Sequence, residues 1–194
     1  MTSTLEHLPG APPEARRHRF SVPEYLVMVE SGVFGPDDRL ELVDGEVVDK
    51  VGVGSQHAAV VARLTRVLVR AAGDALVVFP QNPLVLSASV PEPDVTLLRG
   101  RDDDYSGDLP RVPDALLVVE VGDTSALADR RSKVPRYAAD GVGEVWLVNL
   151  VAGVVERYRQ PSGDGYRDVT EHREETLVPD LAPDVAVDVG DLLR

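Results

Sequence analysis

The run Ala-Leu-Leu-Val-Val-Glu-Val, residues 115–121, limits the possible folds more than any other stretch of this chain. Apolar side chains fall on both parities of the run, so neither face of a strand built from it can point to water. Such a run reads as a strand buried on both sides, inside a sheet covered by helices. Residues 124–141, TSALADRRSKVPRYAADG, then read as a helix, and EVWLVNL, residues 144–150, as another apolar strand. Strand, helix and strand joined by short links predict a right-handed crossover between parallel neighbours. The expected class is α/β, with a mixed β-sheet flanked by helices.

Local signals fill in the rest. SVPEYLVMVESG predicts a helix capped by Ser21, with Glu24 three residues on and Pro23 in the first turn. RLELVDGEVVDKV predicts a hairpin turning at Asp44-Gly45. SQHAAVVARLTRVLVRAAG predicts a helix from a Ser55 cap to Gly73. ALVVFP and PLVLS read as short strands about Gln81-Asn82-Pro83, and PDVTLL as a strand with Pro93 at its first position. VVERYRQ returns as an antiparallel strand, and TLVPDLAPDVAVDVGDLLR is irregular with a short closing helical turn. Pro135 falls inside the helix pattern of residues 124–141 and predicts a kink or restart there. Residues 1–19 read as a flexible polar arm and residues 20–194 as a single domain.

Composition removes several function classes. No run approaches the ~18 apolar residues of a membrane span. The first residues lack the apolar core of a secretion signal, so a cytoplasmic location is expected. With no cysteine, disulfides and thiolate chemistry are excluded. The four histidines have no zinc spacing, and no nucleophile-elbow pattern occurs. Asp102, Asp104, Ser106 and Gly107 imitate a calcium loop, but Pro113 stands where its closing glutamate belongs. The net charge of −13 opposes non-specific attraction to nucleic acid. Lys50 and Lys133 are the only lysines among 20 basic residues, which hints that an ammonium is needed at position 133.

Glu120 is the sharpest residue. A carboxylate at the end of so apolar a strand needs a partner, because burying it alone costs several kcal/mol. An arginine, a capping role or a metal ion would each serve, and Asp123, Thr124 and Ser125 are better placed to cap. Asp94, at the edge of PDVTLL, is a second such carboxylate. Two carboxylates on neighbouring strand ends suit Mg²⁺, which takes one or two of them plus waters and phosphate oxygens. A nearby lysine, Lys133, can orient a water and offset charge developing on a phosphate. Asp94, Glu120 and Lys133 are thus the parts for metal-assisted phosphodiester hydrolysis. Arginine-paired carboxylates and a solvated lysine remain the alternative.

ELVDGEVV, SQH, PEPDVTLL, LLVVEVGDTS with DRRSK, YAADGVGEVWLV and LVPDLAPDVAVDV occur in that order over residues 20–194. The series resembles the putative restriction endonuclease family of small single-domain proteins within the PD-(D/E)XK nuclease superfamily. The resemblance implies a restriction-endonuclease-like fold and a Mg²⁺ site, with Mn²⁺ able to substitute. It matches Asp94 and Glu120 to the acidic pair and adds the Val121 carbonyl as a ligand. The superfamily's usual lysine position is Gly122 here, and Lys133 in the next helix takes its place, with Asp129 one turn earlier as a possible partner. Glu41 and His57 match recurring positions bordering the site. His57 taken alone is most simply a polar residue at a helix start, Glu41 a strand-surface charge, and Trp146 core. Arg130, Arg131 and Arg136 are candidate phosphate contacts, whereas Arg63, Arg66 and Arg70 read as a solvated stripe. The implied activity is cleavage of nucleic acid, DNA above all, with a homodimer expected for double-strand cutting. The competing class is a catalytically inactive binding or regulatory module of the same fold, which the acidic charge favours. A hydrolase of another phosphate ester is a third option.

Overall fold

The structure, a computed structural model, describes residues 17–35, 37–50, 52, 54–123, 127–163 and 165–194, with the side chains of Asp129 and Arg130 outside that set. Most of the expected arm, the capping candidates Thr124 and Ser125, the Asp129 pairing and Arg130 therefore lie outside the described residues.

Helix α1 (Val22–Glu30) starts at a reciprocal capping box. The Glu24 amide donates to the Ser21 hydroxyl, and the Ser21 amide donates to the Glu24 carboxylate at 2.7 Å. Asp44 and Gly45, at φ 49° and 81°, turn the chain between β1 (Leu40–Val43) and β2 (Glu46–Asp49). A two-residue hairpin loop needs that left-handed pair. Helix α2 (Ser55–Ala72) buries His57, Val60, Val61, Leu64 and Leu68, a stripe spaced by three and four. Its cap is Gly54; Ser55, the expected cap, is already helical.

Six strands form the main sheet, in the order β3 (Leu76–Pro80), β4 (Val95–Arg99), β5 (Ala115–Gly122), β6 (Glu144–Asn149), β7 (Val154–Ser162), β8 (Gly165–His172). Only β5 and β6 run parallel, and helix α3 (Leu127–Ala139) connects them, as the apolar strand–helix–strand pattern requires. The other neighbours are antiparallel. The chain closes with β9 (Thr176–Leu177), β10 (Val187–Asp188) and helix α4 (Val189–Leu193).

The eight residues of β5 are all buried, because helices cover both faces of the sheet. Leu117 and Val119 pack with Leu64 and Leu68 of α2 and with Trp146. Val118 packs on the opposite face with Val134 and Tyr137 of α3. Glu120 has the parity of Val118 and so faces α3. Trp146 is core, as its apolar strand predicts, and its indole N–H donates to Glu144 at 2.6 Å.

Three expectations need correction. PLVLS is no strand: only Val85 makes an isolated bridge, to Arg111. Leu84 and Leu86 fill the α3-side core while Val85 fills a third cluster beneath α1, so the run is divided between two cores. Strand β8 was not anticipated, because GYRDVTEH is an edge strand with mostly polar, half-exposed side chains. Helix α3 runs through Pro135 as one element, so of the two outcomes expected there, a kink or a restart, the restart does not occur. No helix among the described residues is long and apolar enough to cross a membrane.

On β7, burial pushes the Glu156 carboxyl up, but hydrogen bonds from Tyr158, Asn149 and Arg131 together outweigh it and hold the group below its ordinary 4.5. A depressed folded-state value stabilises above the unfolded one and is lost as pH falls through the folded one. Glu156→Gln should therefore be less stable than the parent at neutral pH, and the gap should close on acidification below 4.5. Urea midpoints on either side of that pH test this; a gap that is constant with pH rules it out.

Candidate active site

Strands β4 and β5 pair with Val95 opposite Val119; Asp94 immediately precedes β4, and Glu120 follows Val119 on β5. Both side chains are buried, Asp94 at 2% and Glu120 at 0% exposure. The Val121 amide donates to Asp94 Oδ2 at 2.7 Å, and His57 Nε2 lies 3.0 Å from the same oxygen. The Tyr137 hydroxyl donates to Glu120 Oε1 at 2.7 Å.

The β1–β2 hairpin lies outside the main sheet and is tied in by an antiparallel bridge between Leu42 and Val90. That bridge brings in Glu41, whose carboxylate is 3% exposed and accepts the Glu92 amide at 2.9 Å. Lys133, from α3, places Nζ 2.9 and 2.7 Å from the two Glu41 oxygens and 4.0 Å from Glu120 Oε1. Lys133 and Tyr137 stand one helical turn apart on α3, so one helix face serves both carboxylates. Lys50 comes from the other side, 3.8 Å from Glu41 Oε1 and 2.6 Å from Glu92 Oε2. The only two lysines of the chain thus meet at one buried glutamate.

A Cβ at Gly122 would lie 3.0 Å from Leu127 Cα and Cδ1, a tight approach to the start of α3. Lys133 reaches the carboxylates from further along that helix.

Among the described residues, no three His, Cys, Asp or Glu side chains are arranged to hold a metal ion by themselves. Mg²⁺ asks for less, keeping several waters around one or two carboxylates. Asp94 and Glu120 are hard oxygen donors, and with Glu41 and Glu92 they make four carboxylates against two lysines. The donor set and its surplus negative charge fit a divalent cation.

The structure brings together Asp94, Glu120, Lys133 and Glu41, with Val121 bonded to Asp94 through its amide. Glu41 is buried, contrary to its simplest reading as a strand-surface charge. His57, read in isolation as a polar helix-start residue, is fully buried against Asp94. Its place on the apolar stripe of α2, four before Val61, was the available signal. Tyr137 and Lys50 went unrecognised; the lysine count pointed to Lys50 as much as to Lys133. Of the candidate phosphate contacts, Arg131 pairs with Glu156 at 2.6 Å and Arg136 with Asp44 at 2.8 Å. Arg63 reaches the carbonyls of Asp191 and Leu192 in α4, while Arg66 and Arg70 are exposed, as a solvated stripe predicts.

A family model described as "Uma2: Putative restriction endonuclease" matches residues 22–190. A solved structure described as "a putative nuclease belonging to DUF820 from Anabaena variabilis ATCC 29413" superposes with a TM-score of 0.72 at 14% identity. The match covers 90% of this chain and 97% of that one, so the two share a fold. No curated protein matches the chain.

Proposed function

The chain belongs to the Uma2 family, whose model is described as a putative restriction endonuclease, and from that membership we propose a cytoplasmic nuclease that hydrolyses phosphodiester bonds of DNA with Mg²⁺, for which Mn²⁺ substitutes. The observation that carries it is the buried Asp94 carboxylate bonded to the Val121 amide, next to buried Glu120 and beside the Lys133–Glu41 pair. Asp94, Glu120 and the Val121 carbonyl would hold the cation. Bound there, it supplies Lewis-acid charge to the phosphate and makes a water more acidic.

The chain's own groups do the rest. His57 and the Val121 amide fix the Asp94 carboxylate, and Tyr137 fixes that of Glu120. Glu41 holds the Lys133 ammonium at the edge of the pair. Lys133 orients the attacking water and offsets charge developing on the phosphate oxygens. The water attacks phosphorus in line with the leaving oxygen, without a covalent enzyme intermediate.

Calorimetry with Mn²⁺, together with cleavage of plasmid DNA by the purified chain, tests the proposal. Metal binding and cleavage that both vanish in excess chelator are expected. A chain that binds no metal and cuts no nucleic acid is instead the inactive binding or regulatory module that the net charge of −13 favours. Double-strand cutting would call for a homodimer, which light scattering detects.

A further inference from the structure

We propose that the cleft beside the carboxylates is a binding subsite for a backbone phosphate of the substrate, and that Lys50 is the residue that grips it. The inference rests on the nuclease reading above and names a part of the machinery that reading does not use. The cleft, of about 620 Å³, is lined by Arg39, Lys50, Gln81 and Glu92, with Ala58 and Ala62 of α2 as a low wall. It adjoins the carboxylate pair at two points. His57, which touches Asp94, also lines it, and the Gln81 amide donates to the Asp94 carbonyl at 3.2 Å. A nucleic acid strand presented to Asp94 and Glu120 would therefore lay a neighbouring phosphate in this cleft.

The two lysines differ in what they can reach. Lys133 does not line the cleft and is spent on Glu41. The Lys50 ammonium does line it, and its closest partner is Glu92, whose side chain is 30% exposed. The Lys50 side chain is 8% exposed, so most of its desolvation has already occurred in the folded chain. An incoming phosphate can replace Glu92 as its partner without stripping further water from a long cation. Arg39, exposed on the rim, adds a second positive charge facing the same space. Glu92 thus acts as a stand-in anion that the substrate displaces.

A merely structural Lys50–Glu92 ion pair predicts that breaking it from either side has like consequences. Displacement predicts opposite ones. Anisotropy of a short fluorescein-labelled DNA duplex, measured across a salt series in chelator, should show Lys50→Gln binding about tenfold more weakly, with the salt slope reduced by about 1. Lys50→Arg should retain most of the binding. Glu92→Gln, which frees the lysine and removes a repelling charge, should bind more tightly than the parent. In cleavage assays with Mg²⁺, Lys50→Gln should raise KM and leave kcat within about twofold. Equal affinity and KM for Lys50→Gln and the parent, or weaker binding by a folded Glu92→Gln, would overturn the subsite while leaving the nuclease reading standing. Failure of that reading shows separately, as a parent that never cleaves. Thermal melts confirm that each variant is folded, and Glu92→Gln decides the matter if Lys50→Gln does not fold.

Discussion

Asp94→Asn and Glu120→Gln each cleave DNA at least about a thousandfold more slowly than the parent, while remaining folded at the assay temperature. Each change removes one formal charge and keeps the shape. The asparagine oxygen can still accept from the Val121 amide, and the glutamine oxygen from the Tyr137 hydroxyl. What disappears is half of the anionic pair that would hold a hard cation and line up the phosphate. Some stability is lost as well, because Asp94 lies 3.0 Å from His57 Nε2 and Glu120 4.0 Å from Lys133 Nζ, and taking one partner from a buried pair destabilises. Plasmid nicking under Mg²⁺, with circular dichroism melts of the same preparations, gives both halves of the result. Undiminished cleavage by either protein defeats the metal pair. A collapse of the fold in both would make these carboxylates structural.

Lys133→Met destabilises the chain by about 3–5 kcal/mol, the typical cost of stripping the partner from a buried charge. The methionine fills similar volume, so little of the loss is cavity. Among the described residues, Glu41 would keep only the Glu92 amide and an ammonium 3.8 Å away, in a site where its side chain is 4% exposed. Adding Glu41→Gln should recover most of that stability, since the stranded charge goes with it. It should recover none of the activity, which needs the Lys133 ammonium itself. Urea unfolding of the two single variants and the double variant closes the cycle. A Lys133→Met protein as stable as the parent, or a double variant no better than the single, would show that the pair is not energetically joined.

The sheet's centre was legible because β5 leaves no parity for water, and the apolar strand on the far side of a helix then had to run parallel to it. The burial of Glu120 was legible for the same reason: a carboxylate closing a run of leucine and valine has few ways to exist. PLVLS misled because an apolar run records burial without saying how many cores share it. Edge strand β8 was silent because half-exposed polar residues alternate weakly. Lys133 was hinted at by the scarcity of lysine and matched by the resemblance, but its contact with Glu41 on a separate hairpin leaves no trace in periodicity. His57 was undervalued because a polar letter on an apolar stripe was weighed by its chemistry and not by its place on the helix.

The Glu41–Lys133 contact joins residues 92 apart in the chain. A polypeptide emerging from the ribosome therefore presents Glu41 and Asp94 well before the helix that carries Lys133 exists, and Glu120 only shortly before it. Closing so long a loop is entropically slow, and the charges have every reason to stay hydrated until it is done. The order of assembly then makes the site a late product of folding, and a chain ending before α3 holds all four carboxylates and Lys50 but lacks Lys133.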